Sequence, residues 1–128
     1  MLNINDKVPG KIRRGSEPNF VLTSPSNYSK SYLIEFDGIE YIYGIDEKNI
    51  ITFISTDDPD FKTTEGFSTK TTYSEIYDRT KGKLIKETGW VFYIPLELGW
   101  NAAFMVGDSA TLDKPKLTDR VNFFFKRK

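Results

Sequence analysis

Aromatic and β-branched residues fall along this chain in short runs punctuated by turn residues, a pattern of strands. The first run covers residues 32–36, and Asp37-Gly38 behind it is a strong hairpin signal. A second run follows at 39–43, then a turn at Asp46-Glu47-Lys48-Asn49, then a third run at 50–54. Asp57-Asp58-Pro59-Asp60 ends that series. Later runs at 90–96 and 100–106 are joined by Glu97-Leu98-Gly99, and a polar loop at 107–118 leads to a last run at 120–126. One stretch carries helical period instead. Thr72 is placed to cap it, Glu75 stands three residues on as a capping box requires, and Tyr73, Ile76 and Tyr77 share one face. Lys81-Gly82 would end it. Residues 8–14 carry a weaker helical turn, and 16–30 read as a loop rich in Ser, Pro and Asn.

In this order the chain echoes itself with a period of about 60 residues. The expected fold is α+β, a single domain over 1–128. It is an antiparallel sheet of about six strands with one or two helices packed on one face. One reading makes it two α–β–β–β repeats, 1–60 and 61–128; the other is that any α+β meander of this length shows such an echo. Alternation assigns Tyr32, Ile34, Phe36, Trp90, Phe92, Ile94, Val121, Phe123 and Phe125 to the core face. The opposite register mixes polar and aromatic residues and includes Leu33, Glu35, Glu40, Ile42, Tyr93, Asn101 and Phe124. It is expected to be open to solvent or to a partner.

Tandem helix-plus-sheet order of this kind resembles the β-lactamase inhibitor protein. A single unit resembles the SmpA/OmlA-type outer-membrane assembly lipoproteins. Phe61-Lys62-Thr63-Thr64-Glu65-Gly66-Phe67, followed by Thr71-Thr72-Tyr73-Ser74-Glu75-Ile76, carries most of the likeness. It matches those families' glycine-bearing start and polar cap before a short helix. The resemblance implies a sheet that holds a partner on its open side. The chain lacks the inhibitor's disulfides and a lipobox cysteine.

Composition narrows the chemistry. The 128 residues include no Cys and no His. That removes disulfides, thiolate metal sites, thiol nucleophiles and imidazole bases. No cofactor is expected. Lys and Arg number 18 against 18 Asp and Glu, and this neutrality argues against bulk binding to nucleic acid. No apolar run approaches the roughly 20 residues of a spanning helix. The charge is unevenly placed, however. Residues 35–60 hold eight acids and one Lys, and residues 114–128 hold six bases and one acid. An acidic face steering a basic partner is one reading; acidic and basic segments lying side by side is the other.

Each candidate site has a plain alternative. Gly107-Asp108-Ser109 has the form of an esterase block but lacks a histidine. Asp57, Asp58 and Asp60 would need further ligands at set spacing to hold calcium, and a solvated turn is the simpler reading, so no metal is expected. Glu35 and Glu40 flank the hairpin turn and are candidates for a cross-strand pair. Trp90 and Trp100 are expected in the core rather than stacking on a sugar. Asn27-Tyr28-Ser29 fits a glycosylation acceptor, which matters only for a secreted chain. Tyr93 and Phe124 are aromatics in an otherwise polar register, where partner anchors occur.

The expected function is therefore a non-enzymatic, inhibitor- or immunity-like module that docks a protein through its open face. Tyr93, Phe124, Glu35, Glu40 and Asn101 would line that face. The alternatives are a structural or assembly module of the cell envelope, or a small-ligand binder. A homodimer by edge-strand pairing is a further expectation. Location would be periplasmic or extracellular if a leader precedes this sequence, and cytoplasmic otherwise.

Overall fold

A computed structural model describes residues 2–8, 19–24, 27–87, 90–105 and 114–128. Its strands are β1 (Asn19–Ser24), β2 (Asn27–Phe36), β3 (Ile39–Ile45), β4 (Ile51–Thr56), β5 (Ile85–Glu87), β6 (Val91–Pro95), β7 (Asn101–Phe104) and β8 (Phe123–Arg127). One α-helix, α1, spans Tyr73–Thr80, and a single 3-10 turn covers Glu97–Gly99. The strands form one sheet in the order β1-β2-β3-β4-β8-β7-β6-β5, with every neighbouring pair antiparallel.

This corrects the expected fold class. The sheet has eight strands rather than about six, and the described residues hold one α-helix. Among the described residues no α–β–β–β unit precedes α1, and the helical turn expected at 8–14 lies, but for Val8, outside them. Two four-stranded meanders instead meet where β4 pairs with β8.

Local chemistry explains the elements that the pattern found. The β2–β3 turn puts both Asp37 and Gly38 at positive φ, 52° and 79°, the conformation that Asp-Gly favours in a two-residue hairpin. Thr72 Oγ1 accepts the Glu75 N–H at 3.3 Å and caps α1. Lys81 closes the helix in the left-handed region, where its N–H reaches the Tyr77 carbonyl.

The sheet is curled, and one side chain shows by how much. Arg127 on β8 donates from Nη1 to the Thr23 carbonyl on β1 at 3.3 Å. Four strand spacings separate β8 from β1, which in a flat sheet is ~19 Å. An arginine cannot span that. Arg127 also pairs with Glu87 on β5, at the opposite edge of the sheet. Both edges therefore bend toward the same face, giving an open half-barrel with an inner and an outer side.

The larger core lies on the outer side. There Tyr32, Tyr41, Tyr43, Ile54, Phe92, Ile94, Ala102, Phe104 and Phe124 pack under Phe61, Phe67 and Ile76. Tyr43 is sealed in this core, and its hydroxyl has no hydrogen-bond partner. The Leu2 backbone lies nearby without completing a bond. Burial, with Tyr41 adding to it, pushes the Tyr43 phenol up to about 12. Tyr43→Phe deletes an unpaired buried hydroxyl and should leave stability unchanged or raise it by about 1 kcal/mol. Urea denaturation would show this, and a loss of more than that amount would mean that the hydroxyl has a partner.

Candidate functional site

A second cluster occupies the inner side: Phe53, Trp90, Val91, Tyr93, Ala103 and Phe125, with Val21, Leu22, Ile85 and Phe123 against it. These residues come from six segments of the chain, and strand alternation turns Val21, Phe53, Ile85, Val91, Tyr93, Ala103, Phe123 and Phe125 to this face. Gly44 belongs to this face and leaves room for Phe53. A Cβ at Gly44 would meet Phe53 Cβ at 3.1 Å.

Between the rim of β1 and the start of β6 this face opens into an apolar cleft of about 550 Å³. Val21 and Leu22 form one wall, and Trp90 and Val91 form the other. Ile42, Phe53, Ser55 and Phe123 make the floor, and Asp57, Met105 and Asn122 stand at the mouth. Such a volume lies within the roughly 300–1,000 Å³ of ligand pockets. Met105 is 59% exposed and Leu33, which pairs with Ile42, is 55% exposed. The apolar surface thus continues out of the cleft.

The inner face also carries an ion pair. Arg127 binds both Glu87 carboxylate oxygens and donates to the Tyr93 hydroxyl at 3.1 Å. Its guanidinium lies 5.2 Å from the Trp90 ring centre, 5.5 Å from Tyr93 and 5.7 Å from Phe125. The hydrogen bond from Arg127 holds the Glu87 carboxyl below its ordinary value. Burial, and then the neighbouring Glu87, push the Tyr93 phenol up. This cluster ties β1, β5 and β8 together.

Asp57 is the acid that lines the cleft, and further acids lie beyond it on the same face. Glu35 and Glu40 are direct cross-strand partners and both are exposed. They lie two residues beyond Leu33 and Ile42, on the same face. Asp58 is committed to the local loop: its carboxylate accepts the N–H groups of Asp60 at 2.9 Å and Glu40 at 3.1 Å, which lower its pKa. Asp57 remains at the mouth. Among the described residues no salt bridge involves any of these acids, and no three acidic side chains are grouped to hold a metal ion. The basic strand does lie along the acidic segment, since β8 pairs with β4 and Lys128 is close enough to Asp46 to add to the Ile50 N–H in lowering its pKa, but it does not reach Glu35, Glu40 or Asp57. Lys126 pairs with Ile54, and Lys128 donates its N–H to the Thr52 carbonyl, toward the start of β4 rather than its acidic exit.

Like charges directly opposite on a sheet oppose folding. Glu35→Lys should therefore stabilise the hairpin by about 0.5 kcal/mol. Denaturation at low and high salt would check it, because the gain should shrink as salt screens the pair.

The proposed interface residues do not share one surface. Glu35, Glu40, Tyr93 and Asn101 fall on the inner face, but Phe124 is fully buried in the outer core. Tyr93 is only 9% exposed and is engaged with Arg127. Asn101 is half-buried and donates to the Phe125 carbonyl at 3.2 Å, a bond that stitches β7 to β8. Phe123 and Phe125, expected in the helix-side core, are on the inner face instead. Trp100 is in the outer core, beside Phe61, whereas Trp90 is in the inner cluster. Asn27 begins β2 and is exposed. Gly107-Asp108-Ser109 lies outside the described residues. The pattern missed Phe53, Glu87 and Arg127 as parts of one site. The available signal was an arginine ending a strand of three phenylalanines and a lysine.

No α-helix among the described residues is long and apolar enough to cross a membrane. No protein-family model matches the sequence. No curated protein matches it either. The structure is similar to the crystal structure of the uncharacterized protein YfeY from Escherichia coli, with a TM-score of 0.59. The match covers 88% of this chain and 80% of that one at 16% sequence identity, so what the two share is a fold.

Proposed function

We propose that this protein is a non-enzymatic binding module whose partner is a protein carrying an apolar anchor and a basic surface. The anchor enters the inner cleft, and the acids at and beyond its mouth meet the basic surround. The observation that carries this reading is the juxtaposition itself. An apolar cleft opens beside Glu35, Glu40 and Asp57, and no salt bridge among the described residues neutralises them. Apolar area would supply affinity, and these acids would supply steering and selectivity. The docking face is thus the inner side of the curl, without Phe124.

A small amphiphilic cation is the second reading, favoured by the cleft volume. One experiment separates the two. The immobilised protein is exposed to lysate beside two variants: Glu40→Lys with Asp57→Lys, and Asp78→Lys on the exposed surface of α1. A single stoichiometric protein of basic surface should be retained by the parent and by Asp78→Lys, and lost from the double variant. Retention unaffected by the double variant would overturn the reading. Retention of a small molecule alone, detected by native mass spectrometry, would favour the second.

A further inference from the structure

We infer that Arg127 is the positioning residue of the inner cleft: it holds the β1 wall and the Trp90 wall to one another, so that filling the cleft and closing the Arg127–Glu87 pair favour each other. This rests on the reading of the cleft given above and adds what sets its width.

The two walls are far apart along the sheet. Val21 and Leu22 stand on β1, and Trp90 and Val91 stand at the start of β6. The order β1-β2-β3-β4-β8-β7-β6 puts six strand spacings between them, ~28 Å in a flat sheet. Only the curl lets them face each other, and one side chain touches both. Arg127 Nη1 donates to the carbonyl of Thr23, the residue after Leu22, at 3.3 Å. The same guanidinium lies 5.2 Å from the Trp90 ring centre. A planar guanidinium can do both at once, because its edge donates while its face stacks. Arg127 itself stands behind the walls and is not one of the side chains that line the cleft.

Further contacts fix that guanidinium. Both Glu87 oxygens accept from it, and it donates to the Tyr93 hydroxyl at 3.1 Å. The Arg127 backbone pairs with Phe53, which is part of the cleft floor. An arginine held by β4, β5 and β6 sets where the β1 wall and the Trp90 ring come to rest. An apolar group between the walls would in turn keep water from the guanidinium and strengthen its attraction to Glu87. Coupling of this kind is reciprocal.

The coupling gives the cleft a pH response of definite sign. The hydrogen bond from Arg127 holds the Glu87 carboxyl below its ordinary 4.5. Protonating Glu87 releases Arg127 from it. Affinity at the cleft should therefore be steady above pH 4.5 and fall as the pH drops through the lower, folded value. Filling the cleft should push that value lower still. Among the described residues the titratable groups that face Glu87 are Arg127 on β8 and Tyr93 on β6. β1 brings the Thr23 carbonyl, and Lys86, on β5 itself, lies over Phe92 on the outer side.

The test uses the full chain and a neutral apolar probe, N-phenylnaphthylamine, read by energy transfer from Trp90 in a Trp100→Phe background. Being uncharged, the probe does not respond directly to titration of Asp57, Glu35 or Glu40. Circular dichroism follows the fold at each pH. The parent should bind the probe saturably and lose affinity on acidification, and Arg127→Ala should bind about tenfold more weakly. Glu87→Gln should lose the acid-dependent fall, and it carries the test alone if Arg127→Ala fails to fold. In carbon NMR the Glu87 carboxyl should titrate at lower pH with the probe bound. Ile76→Ala empties a fully buried site in the outer core and should leave the affinity and its pH profile as in the parent. Should Arg127→Ala and Glu87→Gln bind as the parent does at every pH, the positioning role is wrong while the cleft reading stands. Should Ile76→Ala weaken binding as much as Arg127→Ala, the effect is one of stability alone and the positioning role is again wrong. If the probe does not bind the parent, the cleft does not admit apolar groups and both readings fall.

Discussion

Phe124→Ala is expected to destabilise the protein by about 3–5 kcal/mol, the usual range for emptying a buried phenylalanine site. Phe124 has 0% of its surface exposed. Its ring centre lies 5.3 Å from that of Phe61, whose own ring packs 4.9 Å from Trp100. Removing it opens a cavity between the sheet and the segment that leads to α1, and the β4–β8 junction beside it cannot collapse to fill the space. Against a total stability of about 5–15 kcal/mol for a domain of this kind, the loss is large. Met105→Ala at the cleft mouth should change stability by less than about 0.5 kcal/mol. Chemical denaturation of both variants decides the matter. If Phe124→Ala proved as mild as Met105→Ala, the outer face would have to be the open one.

The second large effect is expected at Arg127. Arg127→Ala leaves Glu87 and the Tyr93 hydroxyl without their shared donor, and frees the Thr23 carbonyl on β1. Removing one partner of a fully buried pair costs about 3–5 kcal/mol. The Arg127 and Glu87 side chains keep 28% and 21% of their exposure, so solvent screening brings the expected loss to about 2–3 kcal/mol. A double-mutant cycle with Glu87→Gln isolates the pair from the packing of the arginine stem over the aromatic rings. The pH dependence has a definite sign. The Glu87 carboxyl is held by Arg127 below its ordinary value of 4.5. Its contribution is therefore fully present above pH 4.5 and is lost as the pH falls through the lower, folded value. Glu87→Gln should flatten that part of the acid denaturation curve. An unchanged curve would mean that the pair does not form in solution.

Single elements were legible in local chemistry, although the fold class was not. Asp37-Gly38 marked its hairpin because both residues tolerate positive φ. Thr72 and Glu75 marked the start of α1 because the cap is a local bond. The first half of β2 was hidden because Asn27-Tyr28-Ser29-Lys30 is polar, and polar strands look like loops; β1 was missed although Phe20-Val21-Leu22-Thr23 is strand-prone, because Pro18 and Pro25 flank it and Ser, Pro and Asn surround it. β5 was hidden by its three-residue length. The faces of β8 were illegible for a different reason. Phe123, Phe124 and Phe125 are consecutive and identical, so alternation gives the same answer in either register. Pairing with β4 and β7 decides it, and both partners are distant in sequence. The inner site shares that origin. Glu87, Tyr93 and Arg127 meet only because the sheet curls, and curl is a property of the whole sheet.

The strand order has a kinetic consequence. Within each meander every strand pairs with its neighbour in the chain, and even its longest contact, Asn101 with Phe125, spans far less chain than the central junction. The middle of the sheet is joined differently. Phe53 pairs with Arg127 and Thr56 with Phe124, partners more than sixty residues apart. Closing that junction carries the largest loop entropy in the sheet, and folding slows as such distant contacts dominate. The two meanders are thus expected to form early, with unpaired β4 and β8 edges facing solvent, and the centre of the sheet to join last. Until it does, Phe53 and the β8 phenylalanines are the surfaces through which two unfinished chains would mispair.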